Sequence, residues 1–246
     1  MLTPLLILLS AFPTAEPATP AAPDPRLREV AAELFPNASD DEWVLEAAVL
    51  PGYFRLSLGT QIFYLSEDGR YLLAGPLYDL QTKQNLTAAS QAEARKALLQ
   101  NVDLAVPIHF SENGAAPRTG ISVVTNINCT FCRQLHQQLD EYLAAGIDIQ
   151  YVMLPAGGGA GYEQTAALLC SDDPAAAVAA AMLGKPSESG GAPTAACRQS
   201  LDEHVALARK LGAVSTPNLV LPSGELIQGY QSPAQLRERL DRSAPR

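Results

Sequence analysis

Histidine and cysteine are scarce in this chain, with three of one and four of the other in 246 residues. His109, His136 and His204 are scattered and make no ligand set with neighbouring cysteines, so no metal centre and no other bound cofactor is expected. Basic residues are also few, with 17 Lys and Arg against 26 Asp and Glu, a formal net charge of −9. They form no stripe, which excludes an electrostatic footprint for nucleic acid or an anionic membrane. Glu16 is the only charge before Asp24, so losing the N-terminal stretch barely changes this balance. No internal repeat is present. Beyond the first residues, no apolar run approaches the roughly 20 residues that a membrane helix needs.

The N-terminus does carry a short apolar core over residues 1–11, of signal-peptide size and without a Lys or Arg before it. Residues 14–25 are rich in Ala and Pro and read as a tether. Cleavage after Ala11, Ala15 or Ala18 is equally compatible with the pattern. The expectation is a soluble exported protein without stable membrane insertion, in a compartment where disulfides persist. The remainder suffices for two modest domains.

After the leader (1–24), helical spacing of Leu27, Val30, Ala31 and Leu34 predicts a short amphipathic helix over 25–35. Residues 43–50, 53–58, 61–65 and 71–74 are β-biased runs, separated by turn signals at Pro51-Gly52, Gly59 and Asp68-Gly69. One helix over a small antiparallel sheet is the simplest arrangement for 25–82. Such a sheet has edge strands that a second copy could pair, although charge alone can also protect an edge. Residues 88–101 hold strong helix formers without Gly or Pro, and predict a partly exposed spacer helix within a linker region, 83–112. From 113 to 246 the order is strand (121–125), helix (133–145), strand (147–154), helical stretches (160–184 and 202–211), two short strands (218–221 and 225–228) and a last helix (233–242). A strand–helix–strand start implies a parallel pair. The whole order is that of a thioredoxin fold with a helical insertion.

Within that order, Cys129-Thr130-Phe131-Cys132 joins the first strand to the first helix. A thiol at a helix N-terminus meets open backbone N–H groups and the positive end of the helix dipole. Both favour the thiolate, which is the nucleophile. A second cysteine about one turn on can close a disulfide with the first. Zinc usually takes two such halves, whereas Cys170 and Cys197 are far apart and have no paired ligand. Attached haem needs a histidine at position 133, which is Arg. Two unrelated buried thiols remain the plain alternative to a redox pair.

The stretch Val124-Thr125-Asn126-Ile127-Asn128-Cys129-Thr130-Phe131-Cys132 with Leu135-His136 resembles the dimeric bacterial periplasmic disulfide isomerases of the DsbC type. So do Gly212-Ala213-Val214-Ser215-Thr216-Pro217 and Gly229-Tyr230-Gln231-Ser232-Pro233, and in the N-terminal part residues 66–71 and 75–80. The resemblance covers essentially all of the chain after the leader. It implies a cystatin-like α+β dimerisation domain, a linker helix and an α/β thioredoxin-like catalytic domain with a helical insertion. The two arms of a homodimer would form a V around misfolded, disulfide-containing exported proteins in the periplasm. By the same resemblance Cys129 is the attacking cysteine and Cys132 its partner. Thr216 and Pro217 form a substrate-binding loop with a cis-proline. Cys170 and Cys197 form a structural disulfide, with two buried thiols as the plain alternative.

A membrane thiol reductase would keep the pair reduced. Arg133 replaces a common histidine and could either favour the thiolate or simply be solvated; Asn126 replaces a common acidic residue. His136 reads as surface or packing. Isomerisation is the expected activity, with reduction beside it. A reductase for sulfenylated cysteines and a dimeric holdase are the alternatives.

Overall fold

The computed structural model describes residues 24–39, 42–112, 118–155, 159–186 and 192–243. The leader expected over 1–24 lies, apart from Asp24, outside the described residues. Helix α1 (Pro25–Leu34) starts where the Asp24 carboxylate accepts from the Arg26 N–H and where Pro25 needs no partner. Strands β1 (Trp43–Ala47), β2 (Tyr53–Leu58), β3 (Gln61–Ser66) and β4 (Leu72–Leu73) form an antiparallel meander in that order. Leu45 stands opposite Leu56, and Phe54 opposite Leu65. These four residues and Trp43 bury against Leu27 and Ala31 of α1. The outer strands are shorter than the β-biased runs around them, since Pro51-Gly52 turns the chain and only Leu72 and Leu73 pair with β3.

A small ribbon, β5 (Tyr78–Asp79) with β6 (Gln84–Asn85), leads into α2 (Leu86–Gln100), whose first turn is capped by the Asn85 side chain. This helix covers the second face of the sheet. Tyr64 shares a hydrogen bond with Thr87 at 2.8 Å, and Arg55 donates to Ser90 at 2.9 Å. The sheet therefore lies between two helices rather than under one.

The C-terminal part begins with β7 (Ile108–Phe110), β8 (Thr119–Thr125), α3 (Thr130–Gln137), α4 (Leu139–Ala144) and β9 (Ile147–Met153). It continues through α5 (Ala160–Leu169), α6 (Pro174–Met182), α7 (Ala195–Lys210), β10 (Asn218–Val220), β11 (Leu226–Gln228) and α8 (Pro233–Ser243). The sheet order is β11-β10-β8-β9-β7, with only the β8–β9 pair parallel. Val123 and Val124 in β8 and Tyr151 and Val152 in β9 are fully buried, as expected of central strands covered on both faces.

Several boundaries differ from the sequence expectation. The helix expected over 133–145 is two helices meeting at Gln138, whose side chain is held by the Tyr230 hydroxyl. The stretch 160–184 breaks where Asp173 caps α6 and Pro174 occupies its first turn. Helix α7 starts seven residues earlier than expected (Ala195 against 202), because Thr194 caps it by accepting from the Cys197 N–H. Strand β7 was not expected; it adds an antiparallel edge on β9.

Helix α2 is partly exposed, as expected, with only Thr87 and Arg95 buried, but it also docks on the C-terminal part. Arg95 is buried and donates from Nε to the Leu211 carbonyl at 2.8 Å and from Nη1 to the Gly224 carbonyl at 3.4 Å. Thr60, in the β2–β3 turn, donates to the Lys210 carbonyl at 2.8 Å. These groups cap the last carbonyls of α7, which its own helix leaves open. At Gly224, with φ +81°, an added Cβ would lie 1.8 Å from the Ala92 carbonyl oxygen, so only glycine lets this turn reach α2. Periodicity misses such docking because polar side chains and a bare backbone, not an apolar stripe, make it.

Candidate active site

Strand β8 delivers the chain to a tight turn. Asn126 accepts the Asn128 N–H on Oδ1 at 2.8 Å and the Cys129 N–H on its carbonyl at 3.1 Å. Cys129 then occupies the N-cap of α3 with extended dihedrals, φ −89° and ψ 125°. A cap side chain normally satisfies open N–H groups of the first turn; here the cap residue is a cysteine whose side chain makes no capping hydrogen bond. Cys129 is half-buried, whereas Cys132 is only 1% exposed. Phe131 between them is 58% exposed. Across from them the Thr216–Pro217 peptide is cis, and the Cys129 thiol donates to the Thr216 carbonyl at 3.4 Å. Four residues separated by up to 88 positions in sequence, Cys129, Cys132, Thr216 and Pro217, thus share one site.

The two sulfurs differ in their surroundings. Burial works against the Cys129 thiolate, but hydrogen bonds from Cys132, Thr216 and the Phe131 backbone outweigh it and hold the thiol below its ordinary range. Burial pushes Cys132 up to about 11, and the bond it gives to Cys129 adds to the rise; Thr125, Asn126 and Thr216 oppose it. No charged side chain is among these causes. Arg133 donates from Nε to the Ile127 carbonyl at 2.7 Å, so its guanidinium holds the approach loop.

His136 is buried one turn after Cys132, a packing position rather than a surface one. It shares a 3.0 Å hydrogen bond with the Tyr151 hydroxyl, and Phe110 packs edge-on to both rings. Burial pushes its imidazole down to about 4, with Asp140 pulling the other way. His204 is buried too, accepting the Met153 N–H at 3.2 Å on Nδ1 and facing the Val106 carbonyl at 2.9 Å through Nε2. Among the described residues no three His, Cys, Asp or Glu side chains gather as a metal site.

Cys170 and Cys197 lie away from this site, joined by a disulfide with an S–S distance of 2.01 Å. It ties the end of α5 to the first turn of α7. The sequence reading passed over two residues at the site itself. Tyr151 was hidden in an apolar strand pattern. Asn218, next to Pro217, carries a visible signal: it is the one polar residue in the run Asn218-Leu219-Val220-Leu221.

The chain is similar to known proteins along its length. Residues 110–244 match the thioredoxin-like domain family, and residues 18–88 match the disulfide bond isomerase protein N-terminal domain. The thiol:disulfide interchange protein DsbC of Escherichia coli (strain K12) is 27% identical over 241 residues, which cover 98% of this chain and 94% of the relative. That of Pasteurella multocida (strain Pm70) is 30% identical over 180 residues, covering 73% of this chain and 75% of the relative. A solved disulfide interchange protein from Neisseria gonorrhoeae is 24% identical with a TM-score of 0.49, covering 57% of this chain and 97% of that one. No helix among the described residues is long and apolar enough to cross a membrane. With a thioredoxin-like domain, an isomerase N-terminal domain and relatives of this kind along its length, the chain belongs to the DsbC family of thiol:disulfide interchange proteins.

Proposed function

We propose that this protein isomerises wrong disulfides in exported proteins, with Cys129 as nucleophile and Cys132 as its resolving partner. The observation that carries the reading is the contrast between the two sulfurs: Cys129 is accessible and shifted towards thiolate, while Cys132 is buried and pushed up to about 11. The Cys129 thiolate attacks one sulfur of a substrate disulfide. A Cys129–substrate bond forms, the substrate bond breaks, and its other sulfur leaves as a thiolate. Resolution by Cys132 requires loss of a proton that its environment retains, so the mixed disulfide persists. The freed substrate thiolate then has time to attack a different substrate disulfide. The thiolate finally released attacks the mixed disulfide and expels Cys129, with no net oxidation.

When Cys132 does attack, the Cys129–Cys132 bond forms and the substrate leaves with both thiols, reduced by two electrons. Restoring the pair then needs a dithiol donor, for which a membrane thiol reductase is the class of partner. Thr216 and Pro217 supply the loop against which an extended substrate lies; a proline there offers no N–H to a continuing strand. The Cys170–Cys197 bond is structural. We keep the division into a dimerising part (25–82), a linker (83–112) and a catalytic part (113–246), with β7 at the end of the linker stretch completing the catalytic sheet; the protein would work as a homodimer in the periplasm after removal of the N-terminal signal.

Refolding of scrambled ribonuclease tests the reading, run beside reduction of a sulfenylated single-cysteine protein. A clear preference for scrambled ribonuclease supports isomerisation. Preference for the sulfenylated protein would make it a protective reductase. Aggregation suppression equal in wild type and C129S/C132S, without refolding turnover, would make it a holdase.

A further inference from the structure

Strand β10 begins at Asn218, immediately after Pro217. The residue is 1% exposed, followed by Leu219 and Val220 with no exposure at all. Its Nδ2 donates to the Ser215 carbonyl at 2.5 Å and approaches the Ser215 hydroxyl at 3.2 Å. Its Oδ1 is buried with no protein hydrogen-bond partner among the described residues. An unpaired buried amide oxygen destabilises a fold, and alanine or valine here would carry no such cost. Valine would also suit the strand better. What asparagine offers at this position is therefore the donating half of its amide, whose hydrogen bonds go to Ser215.

That half acts on the substrate loop. Val214 is 85% exposed and Ser215 is exposed, so packing does not hold the N-terminal side of the loop. The C-terminal side is held by β-pairing: Gly229 donates to the Pro217 carbonyl at 2.9 Å, and Asn218 stands opposite Val124 of β8. Between the two sides sits Thr216, whose carbonyl accepts the Cys129 thiol. The Asn218 amide bridges from the held side back to the loose one.

We infer that Asn218 is a positioning residue, pinning Ser215 so that Thr216 and Pro217 stay opposite Cys129 while an extended, disulfide-bearing chain docks. The inference rests on the isomerase reading, since it concerns how that substrate is held. A loop left to wander misplaces a docked chain more than it impairs the bare thiol.

The test uses the full chain as wild type, N218A and N218V. Steady-state refolding of scrambled ribonuclease gives kcat and KM, a small aromatic disulfide reports thiol attack without docking, and urea midpoints report stability. The expected outcome is a KM raised about tenfold in both variants, a fall of about twofold with the small disulfide, and a urea midpoint equal to or above wild type. Unchanged KM in variants of an active wild type would overturn the inference alone. So would unfolding or a lowered urea midpoint in both variants, which would make Asn218 structural. A wild type inactive on scrambled ribonuclease sinks the isomerase reading and this inference with it.

Discussion

Four cysteines of one chain form two pairs that differ in almost every physical respect. Cys129 and Cys132 sit three residues apart across the start of a helix, unbonded, one accessible and one buried. Cys170 and Cys197 are 27 residues apart and bonded to each other. Each pair has a threonine beside it: Thr216 faces Cys129, and Thr194 lies 3.1 Å from Cys197 and 3.8 Å from Cys170 through Oγ1. Yet Thr216 belongs to the loop that faces a nucleophile, whereas Thr194 is a helix cap. The comparison teaches that compartment and residue type do not decide what a cysteine does. A sulfur becomes reactive where open helix N–H groups and a facing loop favour its charge and leave it accessible. It becomes a staple where it closes a long loop between packed helices.

The comparison breaks most sharply at the nucleophile. Cys129→Ser should abolish isomerisation, while Cys132→Ser should accumulate mixed disulfides that survive non-reducing electrophoresis after acid quench. Full refolding activity in Cys129→Ser would end the mechanism. Replacing the other pair, as C170A/C197A, should leave activity per folded molecule intact and lower stability by about 3.5 kcal/mol, the chain-entropy value for a loop of this length. Urea denaturation measures it, and an activity loss at full stability would erase the distinction drawn between the pairs.

His136, under the reactive pair, gives a pH signature. Its folded-state value is about 4 against 6.5 ordinarily, so between those limits the unfolded chain takes up a proton that the folded one refuses. The stability it supports is complete above pH 6.5 and falls as pH drops towards 4, by about 3 kcal/mol over the window. Asp140 and Tyr151 are the titratable groups facing it, and α6, packed on α3, has none. His136→Asn should flatten the urea midpoint between pH 7 and 4; an equal acid slope in that variant would assign the effect elsewhere.

The two threonines give the smaller effects. Thr194→Val should cost about 1 kcal/mol as a lost cap and leave the alkylation rate of Cys129 unaltered. Thr216→Val removes a hydrogen bond that favours the Cys129 thiolate, so its thiol should titrate higher and alkylate more slowly at pH 7. Slower alkylation after Thr194→Val, or none after Thr216→Val, would show that the two hydroxyls do not divide as their positions suggest.

Much of this was legible in the residues themselves. Cys129-Thr130-Phe131-Cys132 at a strand-to-helix junction marks a redox motif by position, and the β-biased runs with Gly turns mark the first sheet. Local chemistry suffices for these because turn, cap and strand preferences act over a few residues. Less was legible where a contact spans the chain. Tyr230, 92 residues on, holds the Gln138 side chain where α3 and α4 meet, and the docking of α2 rests on the Leu211 and Gly224 carbonyls. His136 looks like any helix-surface polar residue until Phe110 and Tyr151 close over it.

The sequence by itself determined the family, the order of elements and the thiol pair, since each rests on residues close together in the chain. Only the tertiary structure decided which thiol is open and which is shut away, because desolvation is set by what packs on a sulfur from distant segments. It alone brought Thr216 opposite Cys129 and turned Asn218 towards Ser215, since those contacts exist only once β8 and β10 pair.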